Sequence, residues 1–389
     1  MQTDIIIIGS GFAAKITGLT LALKGFEVLI IPNRINGNTA SNLVTFLSSG
    51  SIKFLKNILD NSSVLESYES MIQIHCSPEE ELKNRSPNLY FKNDGGKILG
   101  RIIPNTKIEE LLDQKINTLQ NIQILKDEEV DTLKLHENKI EIKTRSSLLY
   151  EAKLFIAADG KNSIIKNFTN IEFVQYDFHQ TAISIIADID RKERNTAYQF
   201  FMTDGPLALL PCNSTQSAIV WSLKNKSEIL LLNQKQLELK LSEIFEPFVS
   251  KMKIINQQKF NLSFSFGKKL FSTRSALVGD TAHSIHPIAG QGLNLIIKDI
   301  DCLSSLLKKY QRLGYDIGDQ IILEEYNNLR KIDNTAYAFG TLAIEELFSM
   351  ENNFVRSLTS SALKLFNQSD RIKRSIIHNA TGEHYFNNL

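Results

Sequence analysis

The chain has 389 residues, and 44 basic against 43 acidic side chains leave a formal charge of +1, so no global basic field invites nucleic acid. Three widely spaced cysteines (Cys76, Cys212, Cys302), with no CxxC or Cys/His cluster, argue against a metal site or a disulfide framework and suit a reducing cytoplasm. No apolar run is long enough to span a bilayer, and the N-terminus lacks the basic segment of a signal peptide.

Ile5 to Ile8 is a continuous β-branched run, as expected of a parallel strand buried on both faces. Gly9-Ser-Gly11-Phe-Ala-Ala14 follows at once. Ile16, Leu19 and Leu23 then mark a helix that ends at Gly25, a C′ glycine, and Glu27 to Ile31 is the next strand. A glycine fingerprint between strand and helix is the setting of a dinucleotide site. Gly9 permits the tight turn, Gly11 lets backbone reach a pyrophosphate, and Ala14 keeps the helix near the sheet. An acidic residue is expected at the end of the second strand, but Pro32 stands there, followed by Asn33 and Arg34. Asn33 offers one neutral hydrogen bond instead, a loss of roughly 1–3 kcal/mol against a charged acceptor.

Residues 33–51 read as a polar loop, and Leu89 to Ile103 as a hairpin turning at Asn93-Asp94-Gly95-Gly96. Thr106 to Leu119 has a helical apolar stripe, and an ordinary N-cap is one reading of Asn105 at its start. Lys139 to Thr144 and Leu148 to Leu154 alternate like paired strands. The second leads into Asp159-Gly160, a turn that brings a carboxylate to the strand end. From Ile171 to Phe271 the pattern becomes antiparallel: strands at Thr181–Ile186, Ala197–Met202, Ala218–Ser222 and Asn261–Phe266, interrupted by a helix over Gln234–Phe245. Within it, the apolar run Gly205-Pro206-Leu207-Ala-Leu209-Leu-Pro211 reads as a strand.

Gly279 to Asn294, GDTAHSIHPIAGQGLN, carries the most chemistry. It follows the short strand Ser275–Val278 and precedes a helix with an apolar stripe from Leu293 to Leu307. Gly279, Gly290 and Gly292 allow backbone to approach a flat ligand. The helix start offers unpaired N–H groups and partial positive charge, and Asp280 can accept hydrogen bonds from a sugar-like chain. The loop alone also fits an ordinary strand-to-helix connection. From Glu324 onward the pattern is helical. Lys364, Arg371, Lys373 and Arg374 lie beside apolar Leu363, Leu365 and Phe366, which suits either a solvated helix or an anionic membrane surface.

GDTAHSIHPIAGQGLN resembles the second flavin motif of the group A FAD-dependent aromatic hydroxylases, and its HPIAGQGLN form is most similar to the ubiquinone-biosynthesis hydroxylases. The N-terminal fingerprint, Asp159-Gly160 and the Gly205–Pro211 strand fit the same family in order. One further departure is that Ser41 and Leu43 stand where the family usually carries aspartate and arginine. The resemblance implies an α/β fold of the para-hydroxybenzoate-hydroxylase type: a Rossmann-like FAD-binding domain with an interleaved antiparallel β-sheet substrate domain and C-terminal helices. The FAD-binding domain would comprise 1–75, 100–170 and 272–335. The substrate domain would comprise 76–99 and 171–271, and the C-terminal helical region 336–389.

The implied reaction is hydroxylation of a prenylated phenol in ubiquinone biosynthesis, with FAD, transient NADH or NADPH, and O2, through a flavin C4a-hydroperoxide. Gly9, Gly11, Ala14 and Asn33 would serve the ADP part. Asp159, Gly160, Gly279 and Asp280 would serve the ribityl and phosphate region. Gly292, Leu293 and Asn294 would present N–H groups to the flavin. Pro287 and Gly290 would border the oxygen-reacting edge, and on its second reading Asn105 would lie by the flavin. Gly205, Pro206, Leu207 and Leu209 would wall the substrate pocket. His286 is read either as an acid–base or substrate contact or as a structural loop histidine. No metal is implied. The setting would be cytoplasmic, or peripheral on the inner face of the cytoplasmic membrane, with proteins of a ubiquinone-synthesis complex as partners. Because Pro32 and Leu43 both replace polar cofactor contacts, two alternatives stay open: a degenerate flavoprotein acting as a non-catalytic partner, and a group A hydroxylase of another aromatic substrate.

Overall fold

The computed structural model describes residues 1–33, 43–60, 62–79, 89–92, 96–164, 168–286, 290–349, 361, 363 and 366–382. The chain opens with β1 (Gln2–Ile8), α1 (Phe12–Leu23), β2 (Val28–Ile31), β3 (Val44–Ser48) and α2 (Ser49–Ile58). Next come β4 (Ser70–Met71), β5 (Gln73–Pro78), β6 (Leu89–Lys92), β7 (Gly100–Pro104), α3 (Asn105–Ile116) and β8 (Ile122–Ile124). β9 (Val130–Leu135), β10 (Ile140–Thr144) and β11 (Leu149–Ala157) precede the long β12 (Phe173–Arg191), β13 (Thr196–Met202), β14 (Gly205–Pro211) and β15 (Gln216–Lys224). α4 (Gln234–Phe245), β16 (Val249–Gly267), β17 (Phe271–Ser272), β18 (Ser275–Leu277) and β19 (His283–Ser284) follow. The helices α5 (Gly292–Arg312), α6 (Gln320–Ser349) and α7 (Asp370–Thr381) come last.

One sheet runs β17-β18-β11-β1-β2-β8, with β10 and β9 folded on beside β11. β1 is parallel to both β2 and β11, and β11 to β18. Ile5 to Ile8 are wholly buried, as a strand covered on both faces requires. α1 ends at Lys24, and Gly25 follows with φ +88, the left-handed conformation that stops a helix at low cost for glycine. The second sheet runs β19-β16-β12-β15-β14-β13-β5-β6 and is mostly antiparallel. Helix α4 buries Leu237, Leu241 and Phe245 against one of its faces. A small third sheet, β3-β7-β4, lies between them in the chain's connections.

Three expectations are corrected. The stretch read as loop up to residue 51 becomes β3 from Val44 and α2 from Ser49, because β3 pairs with the distant β7 and Ser48 caps α2 through Ser51 N–H. β6 and β7 do not form a hairpin with each other: β6 pairs with β5, and β7 with β3 and β4, so the segment crosses between sheets. Asn105 is the first helical residue of α3, and Pro104 occupies the cap. The Asn105 side chain accepts instead from Thr45 Oγ1 at 2.6 Å, tying α3 to β3.

Candidate active site

The registers of the parallel strands bring four carboxyl ends to one edge: Ile8 lies beside Ile31 and Ala157, and Ala157 beside Leu277. In an open α/β sheet, ligands bind in the crevice beyond such ends. The residues that follow these strands (Gly9, Asn33, Asp159 and Asp280) therefore converge although up to 271 positions separate Gly9 from Asp280.

The cradle fits a dinucleotide. At Gly9, with φ +145, a Cβ would stand 2.3 Å from the Ala158 carbonyl oxygen, so only glycine fits. A Cβ at Gly11 would meet nothing within 4 Å, so that position opens onto free space. Gly11 caps α1 without a side-chain hydrogen bond, and the first turn has no acid, leaving the N–H groups for an anion. Gly160 and Gly292 are likewise open. α5 starts in the same manner: its N-cap Gln291 makes no side-chain cap bond, and no acid lies in the first turn.

Asp159 is largely engaged by its own chain. It accepts from Asn33 Nδ2 at 3.0 Å, Ile164 N–H at 2.9 Å and Thr281 Oγ1 at 3.3 Å, while Gly160 N–H donates to Thr281 Oγ1. Asp280 is different. Its side chain is open to the cleft yet walled by protein, and this desolvation raises its carboxyl above the usual range, against the pull of His283 and Lys161. Asn294 bridges: its Oδ1 accepts from Ser48 N–H at 2.9 Å, and its Nδ2 donates to the Phe46 carbonyl at 3.0 Å. The start of α5 is thereby locked to the end of β3.

Next to this cradle is a cavity of about 810 Å³. Asp280, His286 and Gly290 to Leu293 are among the residues that line it. Leu43 and Phe46 form part of a wall. Gly290, with φ +59, lies against Phe46. Pro287 lies outside the described residues.

The strand Gly205–Pro211 does wall the cavity, but through Pro206, Ala208 and Leu210. The expectation for Leu207 and Leu209 is corrected: alternation along β14 turns both to the opposite face, where they pack with Trp221 under α4. Gly205 serves the turn, since a Cβ there would stand 2.0 Å from the Ser222 carbonyl oxygen. Sequence reasoning also missed a part of the lining, to which Ile376, Ile377 and Ala380 of α7 and Ile344 and Leu347 of α6 contribute. Helical periodicity marked those segments as amphipathic without saying which surface they cover.

His286 is buried, edge-on to Phe178 at 4.8 Å, with Nε2 3.0 Å from Gln180 Oε1. Burial pushes its imidazole down to about 4, so it is neutral at neutral pH and unsuited to act as a general acid there. Behind the loop lies a wholly buried clasp. Asp299 of α5 binds His283 Nε2 at 2.5 Å and Arg330 Nε at 2.8 Å, and also accepts from Asn334 at 3.1 Å. Burial alone would raise the Asp299 carboxyl, but His283 and Arg330 bring it below the ordinary value.

Residues 2–331 match the FAD binding domain family. Along 98% of both chains, the sequence is 24% identical to the 3-demethoxyubiquinol 3-hydroxylase of Escherichia coli (strain K12). It is also 24% identical to the ubiquinone hydroxylase UbiL of Rhodospirillum rubrum, over 97% of this chain and 89% of that one. In fold it is similar to p-nitrophenol 4-monooxygenase PnpA from Pseudomonas putida DLL-E4, with a TM-score of 0.78, 98% of each chain covered and 12% identity.

Proposed function

This chain belongs to the FAD binding domain family, and we propose that it is an FAD-dependent monooxygenase that hydroxylates the ring of a prenylated phenol in ubiquinone biosynthesis. NAD(P)H is the transient reductant and O2 the co-substrate. The observation that carries this reading is one apolar cavity lined both by Gly290 to Leu293 and by part-exposed apolar side chains of the C-terminal helices.

Bound FAD supplies the redox chemistry and the activation of O2. The chain's residues supply placement. Gly11 and the N–H groups of α1 hold the pyrophosphate, and Asp280 receives the ribityl hydroxyls. The N–H groups of Gly292, Leu293 and Asn294 stabilise negative charge on the flavin ring. Pro206, Ala208 and Leu210 press the substrate ring toward the loop and exclude water. His286 borders the ring as a neutral hydrogen-bonding group.

The apolar side chains that the C-terminal helices add to the cavity suit a prenyl tail. Ile344, Leu347, Phe366 and Ile376 line the cavity and are also 40–45 % exposed. Arg371 and Arg374 lie exposed on α7, the helix that carries Ile376. A rim of this composition favours peripheral contact with an anionic bilayer in which such substrates dissolve. Among the described residues no helix is long and apolar enough to cross a membrane.

The test is a visible spectrum before and after FAD loading and desalting, followed by product analysis with a prenylated and a soluble phenol, each with NADH and with NADPH. Retained flavin and ring hydroxylation favouring the prenylated phenol are expected. Retained flavin with turnover of the soluble phenol alone would overturn the substrate assignment. Failure of the protein to take up flavin, with no activity in excess FAD, would overturn the enzyme reading.

A further inference from the structure

Strand β12 breaks register against β16 between Asp177 and Gln180, and His179 within the break takes φ +52. Breaks of this kind re-aim side chains next to functional sites. Here the break places Phe178 and Gln180 against the same ring: Phe178 meets His286 edge-on, and Gln180 meets its Nε2. The other end of the Gln180 amide donates to Glu345 Oε1 of α6 at 2.5 Å. Gln180, His286 and Glu345 are each 5 % exposed or less, and they come from three elements far apart in the chain.

The donor and acceptor roles in this chain of contacts are linked. Glu345 Oε1 accepts from the Gln180 amide and so pins its NH2 end. The carbonyl end must then face His286, and a carbonyl only accepts, so the ring proton resides on Nε2. We propose that Gln180 and Glu345 are positioning residues that hold His286 at the cavity wall in one neutral tautomer, protonated on Nε2. This deepens the reading of His286 as a neutral group beside the substrate, and rests on it for its effect on the reaction.

A fixed tautomer gives the ring one hydrogen-bonding sense beside the substrate cavity, which His286 lines. The burial that keeps the imidazole neutral makes this choice of nitrogen meaningful, because a doubly protonated ring would have no acceptor. Gln180 and Glu345 also line a separate cavity of about 390 Å³ between α6 and the β15 end at Lys224, so the contact chain reaches from the substrate cavity to a second opening.

The experiment is a long-range 15N–1H correlation spectrum of the FAD-loaded, 15N-histidine-labelled protein, with the His286 signals identified by their loss in His286→Gln. The expected parent state is the Nε2–H tautomer. Glu345→Gln frees the Gln180 amide to turn round, and should move His286 toward Nδ1–H and lower kcat about tenfold, with a smaller change in KM. The exchanged pair, Gln180→Glu with Glu345→Gln, restores an acceptor facing Nε2 and should recover the Nε2–H state. A parent with mixed or Nδ1–H tautomers overturns the proposal, as does a Glu345→Gln protein with unchanged tautomer and kcat. The spectrum reports on the tautomer even if no prenylated phenol is turned over, so failure of the functional reading would be seen separately.

Discussion

Asn33 Nδ2 donates to Asp159 Oδ2 across 3.0 Å, joining the end of β2 to the end of β11. Pro32 leaves the end of β2 without the acid a dinucleotide site usually places there, and the Asn33 amide brings the carboxylate of another strand beside it. Asn33→Ala should therefore weaken FAD binding by about 1 kcal/mol, roughly fivefold in Kd. Asn33→Asp, which restores the usual acid, should weaken it as well, because two carboxylates would then face each other. Titration of the flavin-free protein with FAD distinguishes these outcomes. Tighter binding by Asn33→Asp would show that Asp159 is not the neighbour that matters.

Asp280 is held above the ordinary carboxylate range by its walled position. With the folded-state value raised, ionisation of Asp280 costs folding free energy, and the cost sets in as pH rises from the unfolded value. Asp280→Asn should raise the Tm of the flavin-free protein at neutral pH and lower FAD affinity about tenfold, a charged hydrogen bond being exchanged for a neutral one. In the parent, FAD affinity should fall as pH drops through the raised value, and Asp280→Asn should flatten that dependence. Calorimetry together with FAD titration against pH checks both.

Alternation along β14 makes a paired prediction. Leu207 packs under α4, so Leu207→Ala should cost about 2–5 kcal/mol of stability and leave substrate preference unchanged. Ala208 faces the cavity, so Ala208→Phe should leave Tm within a few degrees and raise KM for bulky phenols. Urea unfolding and steady-state kinetics on the two variants give opposite patterns if the face assignment is right.

The clasp behind the flavin loop is wholly buried. Removing one partner of a buried charged pair leaves the other uncompensated, so Asp299→Ala should destabilise the protein by about 3–5 kcal/mol. Asp299→Asn should cost less. Chemical denaturation measures both, and near-equal stability of Asp299→Ala and the parent would refute the role of the clasp.

The last turn of α7 is docked by close contacts. A Cβ at Gly50 would stand 2.5 Å from the Thr381 carbonyl oxygen. Lys298 Nζ and Tyr337 OH both donate to the Asn379 carbonyl, at 2.9 and 3.1 Å. Gly50→Ala should push this turn away, and because Ile376, Ile377 and Ala380 line the cavity, KM for a prenylated phenol should rise several-fold. Proteolytic cleavage near residue 380 should become faster in the same variant.

The parts legible in the sequence are those whose physics is local. A buried run of isoleucines, a glycine that must turn at once and a helix start without a side-chain cap fall within fifteen residues, so β1, Gly9, Gly11 and α1 could be read directly. The same holds for the start of α5 at Gly292, for Gly25 and for the bounds of α4. The tertiary structure alone decided which partner each strand takes and which way it faces. β6 and β7 are adjacent in the chain but belong to different sheets, because hydrogen bonding to β5 and β3 depends on chain segments far away. The period of two in β14 identified two faces, and only the placement of α4 chose Leu207 for the core and Ala208 for the cavity. Gln180 and Glu345 carried no signal at all: 106 residues separate Gln180 from His286 and 165 from Glu345, and their contact exists only once sheet, loop and helix have packed.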